Sequence, residues 1–552
     1  MERIASFIMM LCVFCISNAA NYLTFAAEED GSTFGILNKN NNPDVQYSLD
    51  GGETWTALVE GDAITLVNKG DKALLRGDNP EGFSKRSNKY SSFTMTGKIA
   101  ASGSVMSLID GTGETLVVPA DYCFYSLFKG CTSLTQAPEL PATTLANYCY
   151  QYMFEGCTSL TQAPELPATT LADYCYSYMF EGCTSLTQAS ELPATTLANY
   201  CYQYMFEGCT SLTQAPELPA TTLADGCYNG MFRGCTSLTQ APELLATTLA
   251  EYCYKSMFSV CTSLTQAPKL PVTTLADACY CEMFWGCTSL TQAPELPATT
   301  LAERCYQYMF SGCTSLTQAP ELPATTLAEA CYYFMFERCT SLTQTPELPA
   351  TTLAERCYEY MFKGCTSLTQ APELPATTLA DVCYNGMFWG CTSLTQAPEL
   401  PATTLANCCY YFMFSECTNL SEIRVAFVEW KNSSDQDDNT HLWVKNVAQT
   451  GTFYCPKALP LEYGLDRIPE GWTVKYIEEG TGVNDAVASV TTVWTDGNTI
   501  YVRGAESDIE VYDMLGRLIV SKRGGQENIQ ISVPQKGIYV VKVGTETHKV
   551  EL

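Results

Sequence analysis

The chain has 552 residues and a formal charge of −29, which is long enough for several domains or one extended array. That charge sets it against nucleic acid and anionic membrane surfaces, both negative themselves, and leaves cations, basic protein patches and neutral glycans as partners. Only two histidines occur, His441 and His548, which counts against most metal and acid–base sites.

In chain order, residues 1–20 predict a signal peptide. Arg3 gives a thin positive start, Phe7 to Ile16 is an apolar run too short to span a bilayer, and small residues follow at Ser17–Ala20. Residues 21–118 alternate in short β-rich runs such as YLTF, DVQYSL and SSFTMTG, separated by Gly, Asn and Asp; they predict a small β-sandwich-like domain. Within it, Ser48–Trp55 (SLDGGETW) resembles an Asp-box, a structural β-hairpin turn of sialidase-like propellers, here in a single copy. Residues 119–430 carry a fixed period. One cysteine recurs every 26 residues from Cys131 to Cys417, and a second stands eight residues before each, from Cys123 to Cys409. That is an array of twelve 26-residue repeats, and such an array stacks as a solenoid. Residues 431–478 predict a C-terminal cap, 479–489 a linker, and 490–552 a second small β-sandwich, from NTIYVRG, IEVYDMLGRLIV and GIYVVKV.

Within one repeat, LANYCYQYMFEGC (Leu145–Cys157) predicts a short helix. Ala146, Cys149, Tyr150, Met153, Phe154 and Cys157 are the near-constant positions, and their spacing marks one helical face. Thr144 stands as the N-cap, the Asp, Glu or Asn at the position of Asn147 as its capping-box partner, and Gly156 as a left-handed exit. The other half, SLTQAPELPATTL, has too much proline for a helix and predicts a strand with about three to five paired residues per repeat. Four or five large apolar side chains do not offset the ordering of a lone repeat, so copies must cover one another. The fold class is therefore a β/α solenoid flanked by small all-β domains.

The cysteine spacing offers no paired C-x-x-C and no accompanying histidine, so zinc is disfavoured. Two rows of buried thiols acting as small apolar residues are expected, with Cys281, Cys408 and Cys455 off the period and the more reactive. The strand side carries the candidate binding row: Gln136, Glu139, Gln162, Glu165, Gln188, Glu191, Gln214, Glu217, Gln240, Glu243, Gln292, Glu295, Gln318, Glu321, Gln344, Glu347, Gln370, Glu373, Gln396 and Glu399, interrupted at Lys269. A solvated ladder that keeps the protein soluble is one reading. A stripe that collects a basic ligand or Ca²⁺ is the other. No cofactor is otherwise called for. A row of equal glutamates holds no acid apart from its base, which argues against glycoside cleavage. Exposed tyrosines, Tyr148, Tyr152, Tyr174 and Tyr178 among them, mark the variable face.

The Cys-x-x-Leu, the Leu-Pro and the Phe three residues before the next Cys resemble the BspA-like leucine-rich repeats of bacterial surface proteins. The chain departs from that pattern with Cys149-Tyr150 where Ile-Gly is common and Met153 where Ala is common. The resemblance implies a right-handed β/α solenoid and attachment to host proteins or other cells. Ile509–Ile519, Lys536–Val543 and the closing Lys549-Val550-Glu551-Leu552 resemble the C-terminal sorting domain of the type IX secretion pathway. That resemblance implies outer-membrane passage and surface association. The combined expectation is a non-enzymatic, extracellular or cell-surface protein whose solenoid binds a host extracellular protein or glycan. The alternatives are a surface spacer without a ligand, or a secreted glycan-acting enzyme with its site in the N-terminal domain.

Overall fold

The computed structural model describes residues 20–430 and 439–477, and in the C-terminal part 492–496, 499–503, 508–513, 517–523, 528–533, 537–543 and 546–551. The signal peptide before residue 20 and the linker at 479–489 lie outside the described residues. Two compact units divide the chain, Met1–Tyr476 and Ile477–Leu552.

The N-terminal strands form two sheets. One runs, in spatial order, Thr56–Ala57, Gln46–Ser48, Lys72–Arg76, Leu23–Ala27, Ile99–Ser102 and Leu134–Gln136; the other runs Ile64–Leu66, Ser32–Lys39 and Tyr90–Thr96. Alternate residues of Leu23–Ala27 are buried, the period-2 signature of a half-covered strand. The last strand of the larger sheet, Leu134–Gln136, belongs to the first repeat and pairs in parallel with Ile99–Ser102. One hydrophobic core therefore runs across residue 118, from Leu23 through the repeats to Trp472. Phe25 and Phe93 lie 6.2 and 5.4 Å from the ring of Phe128 in the first coil.

The segment expected as a helix is not one. The α-helix among the described residues is Ser107–Asp110; each Cys-to-Cys segment is instead a chain of tight turns. The backbone turns left-handed at every fourth residue: φ is +59° at Tyr148, +59° at Tyr152 and +72° at Gly156. Hydrogen bonds alternate accordingly. Cys149, Gln151, Met153, Glu155 and Cys157 donate back three residues within their coil, as from Met153 to the Tyr150 carbonyl at 3.1 Å. Tyr148, Tyr150, Tyr152, Phe154 and Gly156 donate to the next coil, as from Tyr150 to the Cys175 carbonyl at 3.0 Å. Half the amides thus stitch coils together, where a helix would spend them on itself.

The expected caps are rebuilt the same way. Thr144 gives its carbonyl to the amide of Val118 at 3.0 Å in a ladder between coils. The side chains of Asp121, Asn147 and Asp173 each accept the backbone amide of the equivalent residue one coil on, Asn147, Asp173 and Asn199, each at 3.0 Å. The strand half is also sparser than expected. Between the ends of the array, coils pair through single bridges such as Gln162–Gln188 and Thr170–Thr196. Proline next to the glutamine column removes the donor that a longer ladder would need. Four parallel strands, Gln396–Leu400 of the array and, past Cys417, Glu422–Val425, Thr452–Cys455 and Thr473–Tyr476, close the unit. A further turn segment follows the last regular one, with Phe414 bonded to the Trp443 carbonyl at 2.8 Å.

The second unit has two antiparallel sheets, Thr492–Asp496, Thr499–Arg503 and Asn528–Ser532 in one, Leu518–Lys522, Ile509–Asp513, Ile538–Val543 and Glu546–Glu551 in the other. Ile500, Val511, Ile531 and Val541 belong to its own core.

Candidate functional site

Two surfaces of the array carry chemistry. The first is the glutamine–glutamate row, and every side chain of that row is exposed. Leu134 and Leu140 are buried, while Gln136 and Glu139 between them face water. The structure holds the glutamines in register by backbone bridges at Gln162–Gln188, Gln240–Gln266, Gln266–Gln292 and Gln318–Gln344, and Gln162 donates its side-chain amide to Gln188 at 3.1 Å. At the two ends Glu139 accepts from Asn21 at 2.7 Å, and Glu399 faces Arg424 at 3.3 Å. The glutamates from Glu165 to Glu373 make no ion pair or side-chain hydrogen bond among the described residues. Shallow depressions open between coils, one of about 410 Å³ over Pro320, Glu321, Pro346 and Glu347, another of about 310 Å³ over Gln292 and Gln318. Among the described residues, no three His, Cys, Asp or Glu side chains converge as ligands of one metal ion would.

The second surface is the turn side, where the repeats differ. Its left-handed positions hold stacked rings: Tyr122, Tyr148, Tyr174 and Tyr200 lie 4.5, 4.8 and 4.8 Å apart, and Tyr152, Tyr178 and Tyr204 lie 4.8 and 5.0 Å apart. Both columns stop at glycines: a Cβ on Gly226 or Gly230 would stand 2.2 or 2.1 Å from the ring of Tyr200 or Tyr204. The sequence pattern marks these tyrosines but places them on a helix, and it does not single out Trp285.

No described cysteine is in a disulfide. From Cys157 to Cys417, each coil-closing thiol donates to a carbonyl of the coil before, as Cys157 does to Phe128 at 3.2 Å and Cys417 to Phe388 at 3.0 Å, while Cys131 donates to Phe93 of the N-terminal sheets at 3.2 Å. Burial pushes these thiols up, Cys183 to about 12, which keeps them as inert thiols. Of the three off-period cysteines, Cys281 and Cys455 are buried as well, while Cys408 is half-buried. In the Asp-box, Asp50 accepts from the Thr54 hydroxyl and amide and from Ser48. Those bonds, the Thr54 hydroxyl first, hold its carboxyl well below the usual range, and Trp55 donates to the Gly52 carbonyl at 3.1 Å. Every one of these groups is used to close the turn.

No curated protein matches this chain. One solved structure, the crystal structure of the TLR13–ssRNA13 complex, aligns at 14% identity and a TM-score of 0.23 over 60% of this chain and 48% of that one; at that score it carries no argument about the fold. The chain spans about half the length of that protein. Two family models do match. A secretion system C-terminal sorting domain covers residues 494–551, and with it the chain is a secreted, cell-surface protein. The model of the BspA type leucine rich repeat region matches over 121–239, 175–291, 225–369 and 332–428, more than half of the chain in all. On coils that repeat in register from Cys131 to Cys417, this is decisive: the chain belongs to the BspA-type leucine-rich repeat family.

Proposed function

We propose that this is a non-catalytic adhesin whose stacked coils bind an extracellular protein or glycan of a host, with the C-terminal sorting domain bringing it to the cell surface. One observation supports this most: an exposed Gln–Glu pair repeats from coil to coil, and between the ends of the row its carboxylates are bound to nothing else among the described residues. Equal groups at equal spacing suit a periodic partner, because weak contacts multiply when several are made at once. A basic partner, or one bridged through Ca²⁺, fits the unneutralised glutamates.

The secreted chain passed over immobilised mucus and matrix proteins is expected to bind saturably. Replacing three adjacent carboxylates together, Glu295→Gln, Glu321→Gln and Glu347→Gln, should weaken that binding about tenfold, more than any one alone. Absence of saturable binding would leave the array as a spacer.

A further inference from the structure

The ring column of Tyr152, Tyr178 and Tyr204 ends at Gly230 and resumes only at Tyr308, which stacks on Phe334 at 4.8 Å. Between them, Ser256 and Glu282 occupy the column. Over this gap lies a cavity of about 580 Å³, lined by Arg233, Glu282, Trp285, Tyr308, Glu337 and Arg338. The volume falls within the range of about 300–1,000 Å³ usual for small-ligand sites.

The geometry points to a binding site for a neutral oligosaccharide, with a sugar-ring face stacked on the Trp285 indole and its hydroxyls paired with Glu282, Glu337, Arg233 and Arg338. This site rests on the reading of the array as a binding surface and gives it a ligand class. Trp285 is 39% exposed, and among the described residues its ring has no aromatic neighbour and its indole N–H no acceptor. Its equivalent four coils on, Trp389, is by contrast stacked on Phe412 at 5.1 Å with the Lys363 ammonium 5.1 Å above it. An uncovered indole offers one apolar face and one donor, the pair that a sugar ring meets with its C–H face and a hydroxyl.

The polar groups around Trp285 are held in place. Glu282 accepts from the Ser256 hydroxyl at 2.8 Å, and Glu337 accepts from Ser311 at 3.2 Å with Lys363 also at 3.2 Å. The side chains of Arg233 and Arg338 are 43% and 73% exposed, so part of each fork is free to donate. Arg233 is itself paired with Glu207 at 2.9 Å, and with Glu207 and Lys363 counted the lining groups and their partners carry no net charge, in a chain of −29. An ionised ligand finds no net charge there to neutralise, and an apolar peptide side chain would desolvate the charged groups without meeting their remaining hydrogen-bonding positions. Hydroxyls, which donate to the carboxylates and accept from the guanidinium groups, satisfy both kinds.

The test uses the full secreted chain against cellopentaose, maltopentaose, laminaripentaose, chitotriose and lacto-N-tetraose, with 3′-sialyllactose as the charged comparison. At least one neutral sugar should bind saturably. Trp285→Ala should weaken that binding about tenfold or more and Glu282→Gln several-fold, while Trp285→Phe retains most of it and Trp389→Ala changes nothing. Thermal unfolding of each variant checks that the fold is kept. Binding of the sialylated sugar alone, binding that survives Trp285→Ala in a folded variant, or no sugar binding would overturn the site. Capture of matrix proteins without any sugar binding removes this site and leaves the adhesin reading; failure of both removes both.

Discussion

At the end of each coil, a sulfur does what neither a methyl nor a second sulfur would do. Cys287 is fully buried and donates to the Phe258 carbonyl of the coil before at 3.0 Å. A disulfide would remove that donor and with it one tie between neighbouring coils. Eight residues earlier, Cys279 is equally buried but donates no such bond; it fills space as a small apolar group. The two rows therefore answer differently to the same change. At Cys287, serine should be tolerated better than alanine, because its hydroxyl finds the waiting carbonyl. At Cys279 the order reverses, because a buried hydroxyl there has no acceptor. Each difference should be about 1 kcal/mol, read as a shift in the urea unfolding midpoint. The same order at both positions would mean that the sulfur–carbonyl contacts carry no weight.

At the scale of the turn segment, side chains one coil apart stand close enough to feel one another's charge. Glu181 lies between Glu155 and Glu207, which are themselves paired with Lys129 at 2.5 Å and Arg233 at 2.9 Å. Burial first, and then the two flanking carboxylates, push Glu181 up from 4.5 to about 7. Its folded value lies above its unfolded one, so its contribution is whole below about pH 4.5 and is lost as pH rises through 7. Glu181→Gln should therefore leave the unfolding midpoint unchanged at pH 4.5 and raise stability at pH 8. The gain should be about 1 kcal/mol, small because the group is half-exposed and screened. The segment also shows what the sequence made legible. The inward residues were right, since Cys149, Tyr150, Met153, Phe154 and Cys157 are all buried. The backbone that carries them was not, because spacings of four suit a helix and a chain of four-residue turns alike over so short a run. A helix drifts by about 40° every four residues, whereas Cys149, Met153 and Cys157 keep strict step. The signal that separates the two is the coil in which Gly226, Gly230 and Gly234 occupy all three left-handed positions, since no helix would place glycine at every fourth residue. The glutamine–glutamate row was legible from the 26-residue period alone. The cavity at Trp285 was not, because it depends on which residues the neighbouring coils place beside it.

At the scale of the whole repeat unit, the array is bounded by parts that do not repeat and should be insensitive to how many copies lie between them. Its first coil is covered by the N-terminal sheets, through Phe25 and Phe93 on Phe128 and through the pairing of Ile99–Ser102 with Leu134–Gln136. Its last is covered by the non-repeating strands and by Trp443, whose ring lies 6.1 Å from Phe414. Between these ends each coil meets only its neighbours, so the stability of the stack is close to a sum of equal terms. The bond from each even-numbered turn residue to the carbonyl 25 residues on fixes the register at one whole repeat. Removing residues 157–182 joins Gly156 to Cys183 and restores every such bond. That variant should fold, with its thermal midpoint within about 5 °C of the parent. Removing residues 157–181 instead takes out one residue fewer and puts every later side chain one place out of step, so that buried cysteines and phenylalanines face exposed threonines and glutamines. Circular dichroism and limited proteolysis should show a cooperative transition for the first deletion and early cleavage within the array for the second. Equal behaviour of the two would mean that the coils are not locked together residue by residue, and the stacked surface on which the proposed binding depends would lose its regular spacing.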